Sequence, residues 1–259
     1  MDGLVLVDKP AGPSSFAVVS SLRERHGVKA GHAGTLDPRA TGLLLVLLGR
    51  ATRLARYLVG LDKRYATEIR LGLRTTTGDG EGEVLEETPI PTAAEIEALS
   101  GEVDLPVPAA SAVKVGGERA YRLHRRGVSV EMPLRRSTIH DIRIRRYAPP
   151  LLELELHVSS GTYVRAVADA LGGHCRTLRR TTVGPFSVED ADEDRLLPPL
   201  AALVHLPAHE LTEEEAARAR AGRALEGAGK GPVALYLGTD LVAVGHAREG
   251  VIRPETVVG

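Results

Sequence analysis

The sequence predicts an α+β fold with a mixed sheet, and three observations carry that reading. Strand and helix signals do not alternate in the regular βαβ rhythm of a doubly wound sheet. Tyr65, Thr67, Ile69 and Leu71 alternate with Ala66, Glu68 and Arg70, the period-two pattern of a half-buried strand. Residues 134–146 and 151–158 form a further strand pair joined through Pro149-Pro150. Taken in chain order, residues 4–7 are an apolar run stopped by Asp8-Lys9-Pro10-Ala11-Gly12-Pro13, a strand entering a turn. Ser14 or Ser15 caps the next helix, which carries Phe16, Val19 and Leu22 on one face and closes at Gly27. A glycine-punctuated loop covers residues 31–42; residues 43–48 read as a buried strand and 50–58 as a short helix. Thr92-Ala-Ala-Glu95 is a capping box that opens another helix. Residues 163–171 are helical and end at Gly172-Gly173. The acidic stretch 189–194, Pro198-Pro199 and Pro207 read as a hinge region. Beyond it come a helix capped at Thr212 and two strands, 233–237 and 241–245, meeting at Gly238-Thr-Asp240, a hairpin signal. Residues 207–259 therefore read as a small β-rich module appended to residues 1–206.

The chain has 259 residues, enough for a substantial core. Its longest uninterrupted apolar run is 43–48, too short to span a bilayer, and no n-region, apolar h-region and cleavage site is read at its start, so neither export nor membrane insertion is expected. A single cysteine, Cys175, excludes an intrachain disulfide and suits a reducing compartment, so a cytoplasmic location is expected. Asn, Gln and Trp are absent and Arg far outnumbers Lys, composition hints of a heat-adapted source with a GC-rich genome. The net charge of −1 hides an uneven layout. Residues 1–188 carry net +5 and residues 189–259 net −6; residues 110–146 alone carry ten bases against three acids. Local charge, rather than the total, sets the potential a polyanion meets, so a basic surface is compatible with a neutral chain.

Several chemistries are excluded by motif. No G-x-x-x-x-G-K-[ST] phosphate loop and no strand–G-x-G-x-x-G–helix dinucleotide fingerprint is present, so no nucleotide cofactor is expected. The nine His and one Cys never fall in a metal-ligand spacing, and Pro207 separates His205 from His209, so no metal is expected. Asp79-Gly-Glu81-Gly-Glu83 lacks the later ligands of a calcium loop and reads as a polar turn. No G-x-S-x-G nucleophile elbow occurs. What remains is Gly31-His-Ala-Gly-Thr-Leu-Asp37-Pro-Arg-Ala-Thr-Gly42, a loop built to present one carboxylate. Gly31, Gly34 and Gly42 permit close backbone approach or positive φ, and Pro38 biases Asp37 to an extended conformation. Spacing alone leaves open both a structural Asp-Pro turn and a catalytic loop.

The run GHAGTLDPRATGLL at 31–44 strongly resembles the signature of the bacterial tRNA pseudouridine-55 synthases, the TruB family. Leu4-Val-Leu-Val-Asp-Lys-Pro-Ala-Gly12 is similar to that family's opening, with Ser14-Ser15-Phe16 following in its place. Asp62-Lys-Arg-Tyr65, Ser111-Ala-Val-Lys114, Gly117-Glu-Arg-Ala-Tyr121, Ser160-Gly-Thr-Tyr-Val-Arg165 and Leu178-Arg-Arg180 match further elements in family order. One departure stands out: Ala110 occupies a position where many relatives carry Tyr, which implies an altered contact. The resemblance implies a catalytic domain with a mixed, mainly antiparallel sheet flanked by helices. Residues 207–259 resemble, more loosely, the family's PUA-like RNA-binding appendage.

By that resemblance the chain isomerises a uridine in the tRNA T-loop: C1′–N1 breaks, the uracil turns and C1′–C5 forms, without cofactor. Cleaving a glycosidic bond develops positive charge on the sugar, which a carboxylate stabilises or traps, and water must be kept out. The resemblance makes Asp37 the essential aspartate, pairs Arg165 with it, and gives Tyr65 the role of stacking on the target uracil and receiving its C5 proton. It places His32 in the space left by the flipped base, and Lys9, Tyr163 and Leu178 around the pocket. Lys114, Arg119, Arg122, Arg125, Arg126, Arg135 and Arg136 lie in a segment (110–136) similar to the family's thumb, implying phosphate contacts to the T-arm stem-loop. A monomer without membrane association is expected. Two other classes stay open on residues alone. One is a non-catalytic RNA-binding or tRNA-folding protein; the other is a nucleoside hydrolase using Asp8 or Asp62 as a second acid.

Overall fold

The structure is a computed structural model that describes residues 1–111, 113–128 and 130–258. Ala112 of the 111–114 motif and Gly259 of the 207–259 module lie outside the described residues. The chain forms two compact units, Met1–Val59 with Gly184–Gly259, and Gly60–Val183. The architecture is α+β, as the lack of βαβ alternation predicts. Among the described residues no helix is long and apolar enough to cross a membrane.

In the first unit, strand Gly3–Lys9 lies between Thr41–Leu48 and Asp192–Leu197, antiparallel to both. The apolar run predicted as a buried strand is buried at every position from Gly42 to Leu48. Helix Ser15–His26 closes this core: Ser14 Oγ accepts from the Ala17 amide, and Gly27 ends it at φ 64° with its amide on the Arg23 carbonyl. Val19 and Leu22 pack with Val5, Val7, Leu44, Val46 and Leu48. Phe16, read from the sequence on one face with Val19 and Leu22, is 70% exposed. Successive helical residues differ by about 100° in direction, and Ser15, 1% exposed, occupies the inward position instead. The region expected as a hinge, 189–194 with Pro198-Pro199 and Pro207, differs in part: residues Asp192–Leu197 form an edge strand on Gly3–Lys9. The hinge reading rested on acids and prolines, whereas the backbone of this segment finds its hydrogen-bond partners on a neighbouring strand.

The C-terminal part of this unit has a core of its own, from Leu211 and Ala216 to Val242 and Ile252. Its helix Glu213–Arg220 starts at a full capping box, Thr212 with Glu215. The hairpin read at 238–240 joins Gly231–Leu237 to Asp240–Arg248, and Ala208–Glu210 adds in parallel to the first of these.

In the second unit, five strands run antiparallel in the order Gly173–Val183, Lys63–Leu71, Leu151–Val158, Leu134–Ala148, Gly101–Pro106. The alternation read at 65–71 is the observed burial pattern. Gly173–Val183 carries arginines and threonines in place of a clean apolar alternation, which hides it as a strand; it pairs with Lys63–Leu71 through two register irregularities.

Candidate active site

The loop that presents Asp37 hangs from a short ladder: Ala30–His32 pairs antiparallel with Thr41–Leu48, His32 opposite Val46. Gly34 and Gly42 take φ 101°, a conformation disfavoured for any side chain, while Gly31 sits in the strand with ordinary backbone. Both neighbours of Asp37 are clamped. Ser15 Oγ accepts from the Leu36 amide at 2.8 Å and donates to the Leu36 carbonyl at 2.9 Å. The Pro38 carbonyl accepts from the Gly12 amide at 2.8 Å and from Lys9 Nζ at 3.0 Å. Lys9 is fully buried, and its ammonium also donates to the carbonyls of Pro10 (2.8 Å) and Pro13 (2.9 Å). Three donors thus meet three carbonyl dipoles, which is how a buried lysine escapes an uncompensated desolvation cost. Asp37 itself is half-buried, and its carbonyl receives the Ala40 amide at 3.1 Å. The local turn, the helix start and the strand end therefore converge on one residue. This is also why Ser15, not Phe16, faces inward.

Ser15→Ala strands a buried amide and carbonyl of Leu36. A loss of about 1–3 kcal/mol in unfolding free energy is expected by urea denaturation, with a fall in turnover because the residue before Asp37 is released. Unchanged turnover in a destabilised variant would separate loop geometry from chemistry.

In the second unit, Arg165 projects from helix Val164–Ala170 and its side chain is only 5% exposed. Nη1 donates to the Thr77 carbonyl at 2.7 Å, and Nη2 donates to the Ala110 carbonyl at 2.9 Å. Nη1 also lies 3.5 Å from Asp79 Oδ2. Asp79 is held in turn by the Thr77 hydroxyl (2.6 Å) and the Glu81 amide (3.0 Å). Residues 79–83, read from sequence as a plain polar turn, thus supply a carboxylate to a buried guanidinium. Gly78 must be glycine here: its φ is 70°, and an added Cβ would come within 3.2 Å of the Arg165 backbone. The Ala110 substitution does not touch the bond to Arg165, because a main-chain carbonyl makes it.

Tyr65 is buried on strand Lys63–Leu71. Registered partners in an antiparallel pair project to one face, so Arg180 (opposite Tyr65) and Leu178 (opposite Thr67) share the face of Tyr65. Leu178 is half-buried; Tyr163, half-buried, immediately precedes the helix of Arg165. Arg180 is one of the most deeply buried large side chains, a residue that belongs to a matched motif but carries no signal of burial in the sequence. Lys63, two positions before Tyr65, donates to the Leu61 carbonyl (2.5 Å) and to Ser160 Oγ (3.1 Å). Burial, reinforced by the Arg180 charge, pushes its ammonium down to about 8.

The basic segment is built differently. Lys114 and Arg119 sit on a two-stranded ribbon, and Arg122 and Arg125 on helix Ala120–Arg125 flank the Tyr121 ring at 6.0 and 5.7 Å. Arg126 pairs with Glu118 at 2.7 Å, and all five cations are exposed. Arg136 is paired with Glu102. The Arg135 guanidinium occupies the space where a side chain at Gly161 would stand.

The family model described as TruB family pseudouridylate synthase (N terminal domain) matches residues 22–164. The "tRNA pseudouridine synthase B" of Mycobacterium sp. (strain KMS) is 42% identical over 282 residues, covering 99% of this chain and 95% of that protein. The protein of the same name from Thermobifida fusca (strain YX) is also 42% identical, covering 99% and 98%, and that of Azoarcus sp. (strain BH72) is 36% identical, covering 100% and 95%. Among solved structures, "Structure of H/ACA RNP bound to a substrate RNA containing 2'-deoxyuridine" shares the fold at TM-score 0.74 and 23% identity, covering 99% of this chain and 85% of that one. A family match over more than half the chain, with relatives aligned along nearly all of it, establishes that this chain is an isomerase belonging to the TruB family of pseudouridylate synthases.

Proposed function

We propose that the chain converts the T-loop uridine at position 55 of tRNA to pseudouridine, with Asp37 as the essential carboxylate. The observation that carries the proposal is the double clamp on the residues flanking Asp37, in a chain 42% identical to a protein named tRNA pseudouridine synthase B. The reaction is balanced without a cofactor: C1′–N1 breaks and C1′–C5 forms, while the C5 proton leaves and N1 takes one up. Because C1′ must be recaptured by uracil C5 before water adds to it and frees the base, a carboxylate held rigidly in a water-poor pocket suits the chemistry. In this reading Arg165 pairs with Asp37, and Tyr65 stacks on the uracil and receives the C5 proton. His32 fills the space left by the flipped base; Lys9 positions the Asp37 loop, and Tyr163 and Leu178 wall the pocket. Residues 1–206 form the catalytic domain, 207–259 a PUA-like RNA-binding module, and the enzyme acts as a cytoplasmic monomer on the T-arm.

Incubation with an unmodified tRNA transcript tritiated at uridine C5 tests the reading. Tritium released without free uracil is the expected result. Free uracil would make the chain a hydrolase, and tight binding with neither product would make it a non-catalytic RNA binder.

The exposed cations Lys114, Arg119, Arg122, Arg125 and Arg126 grip phosphate in this proposal. Arg126→Glu is then expected to weaken tRNA binding and to flatten the slope of log K against log salt by about 1–2. Filter binding from low to moderate salt checks this; an unaltered slope removes residue 126 from the interface.

A further inference from the structure

Asp62, His140 and His157 are remote in sequence, yet their ligand atoms lie within 4.8 Å of one another. His140 Nε2 is 3.2 Å and His157 Nε2 is 4.0 Å from the same oxygen, Asp62 Oδ2. The two imidazole rings stand 4.7 Å apart, tilted by 46°. Hydrogen bonding accounts for the first contact only, since 4.0 Å exceeds hydrogen-bond length. Donors bound to one tetrahedral ion at about 2.0–2.2 Å lie roughly 3.4 Å apart, and the two observed spacings bracket that value. All three side chains are partly exposed, so an ion reaches them from solvent and small rotamer changes bring them to bonding distance. His157 is registered opposite Arg64 and Leu156 opposite Tyr65, which puts the histidine on the sheet face opposite Tyr65. The cluster is therefore separate from the residues assigned to uridine chemistry. Arg64 and Asp141, both registered opposite His157, bring one charge of each sign.

We infer that Asp62, His140 and His157 form a surface site for a divalent transition-metal ion of the zinc type. Two imidazoles and a carboxylate are the donor set that selects zinc, cobalt, nickel or copper over magnesium or calcium. Three protein ligands leave at least one position for water. The ion would tie the segment preceding strand Lys63–Leu71 to the hairpin of Leu134–Ala148 and Leu151–Val158.

The test is calorimetric titration of the metal-free full chain with Zn²⁺, beside His140→Ala, His157→Ala and the double variant. One equivalent of Zn²⁺ is expected on the wild type. It should bind at least tenfold more weakly in each single variant and be lost in the double variant, while Mg²⁺ at the same concentration gives no such signal. Far-ultraviolet circular dichroism and metal-free melting, unchanged across the set, keep misfolding from mimicking the loss. Equal stoichiometry and affinity in wild type and double variant, or no Zn²⁺ binding by the wild type, would overturn the assignment.

Discussion

Asp37→Asn is expected to lower single-turnover tritium release from C5-labelled tRNA by at least about 10³-fold while leaving tRNA affinity within a few-fold. Such a loss is roughly 4 kcal/mol of transition-state stabilisation. Asparagine keeps the size and the backbone of the aspartate, so the clamps from Ser15 on Leu36 and from Lys9 on Pro38 remain in place. Only the charge disappears. If the carboxylate stabilises or traps a positive sugar, or attacks the ring, a neutral amide cannot replace it. Retained turnover in this variant would sink the assigned role, and lost binding together with lost turnover would point to a broken loop instead. Comparing it with Ser15→Ala separates the two cases, because that substitution loosens the loop and leaves the charge.

Arg165→Met should damage both stability and turnover. The methionine leaves the carbonyls of Thr77 and Ala110 without their donor and Asp79 without its cation. Removing one partner from a buried charged pair costs about 3–5 kcal/mol; Asp79 keeps 20% side-chain exposure, so the lower end is expected in urea denaturation. Turnover should fall by about 10²-fold or more. Arg165→Lys retains charge but cannot span two carbonyls and a carboxylate with a planar fork, so it should recover little of either quantity. Asp79→Asn tells structure from chemistry. Its amide oxygen still accepts from the Thr77 hydroxyl and the Glu81 amide, so stability should drop less than turnover. Equal turnover in wild type and Asp79→Asn would make the contact purely architectural.

Much of the fold was legible because its signals are short-ranged. The Thr92–Glu95 and Thr212–Glu215 boxes, the Gly27 stop and the alternation from Tyr65 to Leu71 all operate within one or two turns of chain. Where the reading failed, a partner distant in sequence had decided the matter. Phe16 yields the inward position to Ser15 because the serine hydroxyl serves Leu36, 21 positions on. The segment 192–197 is a strand because Gly3–Lys9 offers it an edge. Gly173–Val183 looks irregular as a sequence because its two register irregularities break the period that alternation depends on.

The candidate site divides in the same way. The sequence by itself determined that a glycine–proline loop presents Asp37, that Tyr65 lies on a strand and that Arg165 belongs to a helix, since local geometry follows from residue type and spacing. Only the tertiary structure decided what each side chain meets: three carbonyls around Lys9, and two carbonyls and Asp79 around Arg165. Thr77 and Arg165 are separated by 88 positions. No periodicity extends that far, and such neighbours are chosen by how sheets and loops pack to bury apolar surface while leaving no buried polar group unpaired.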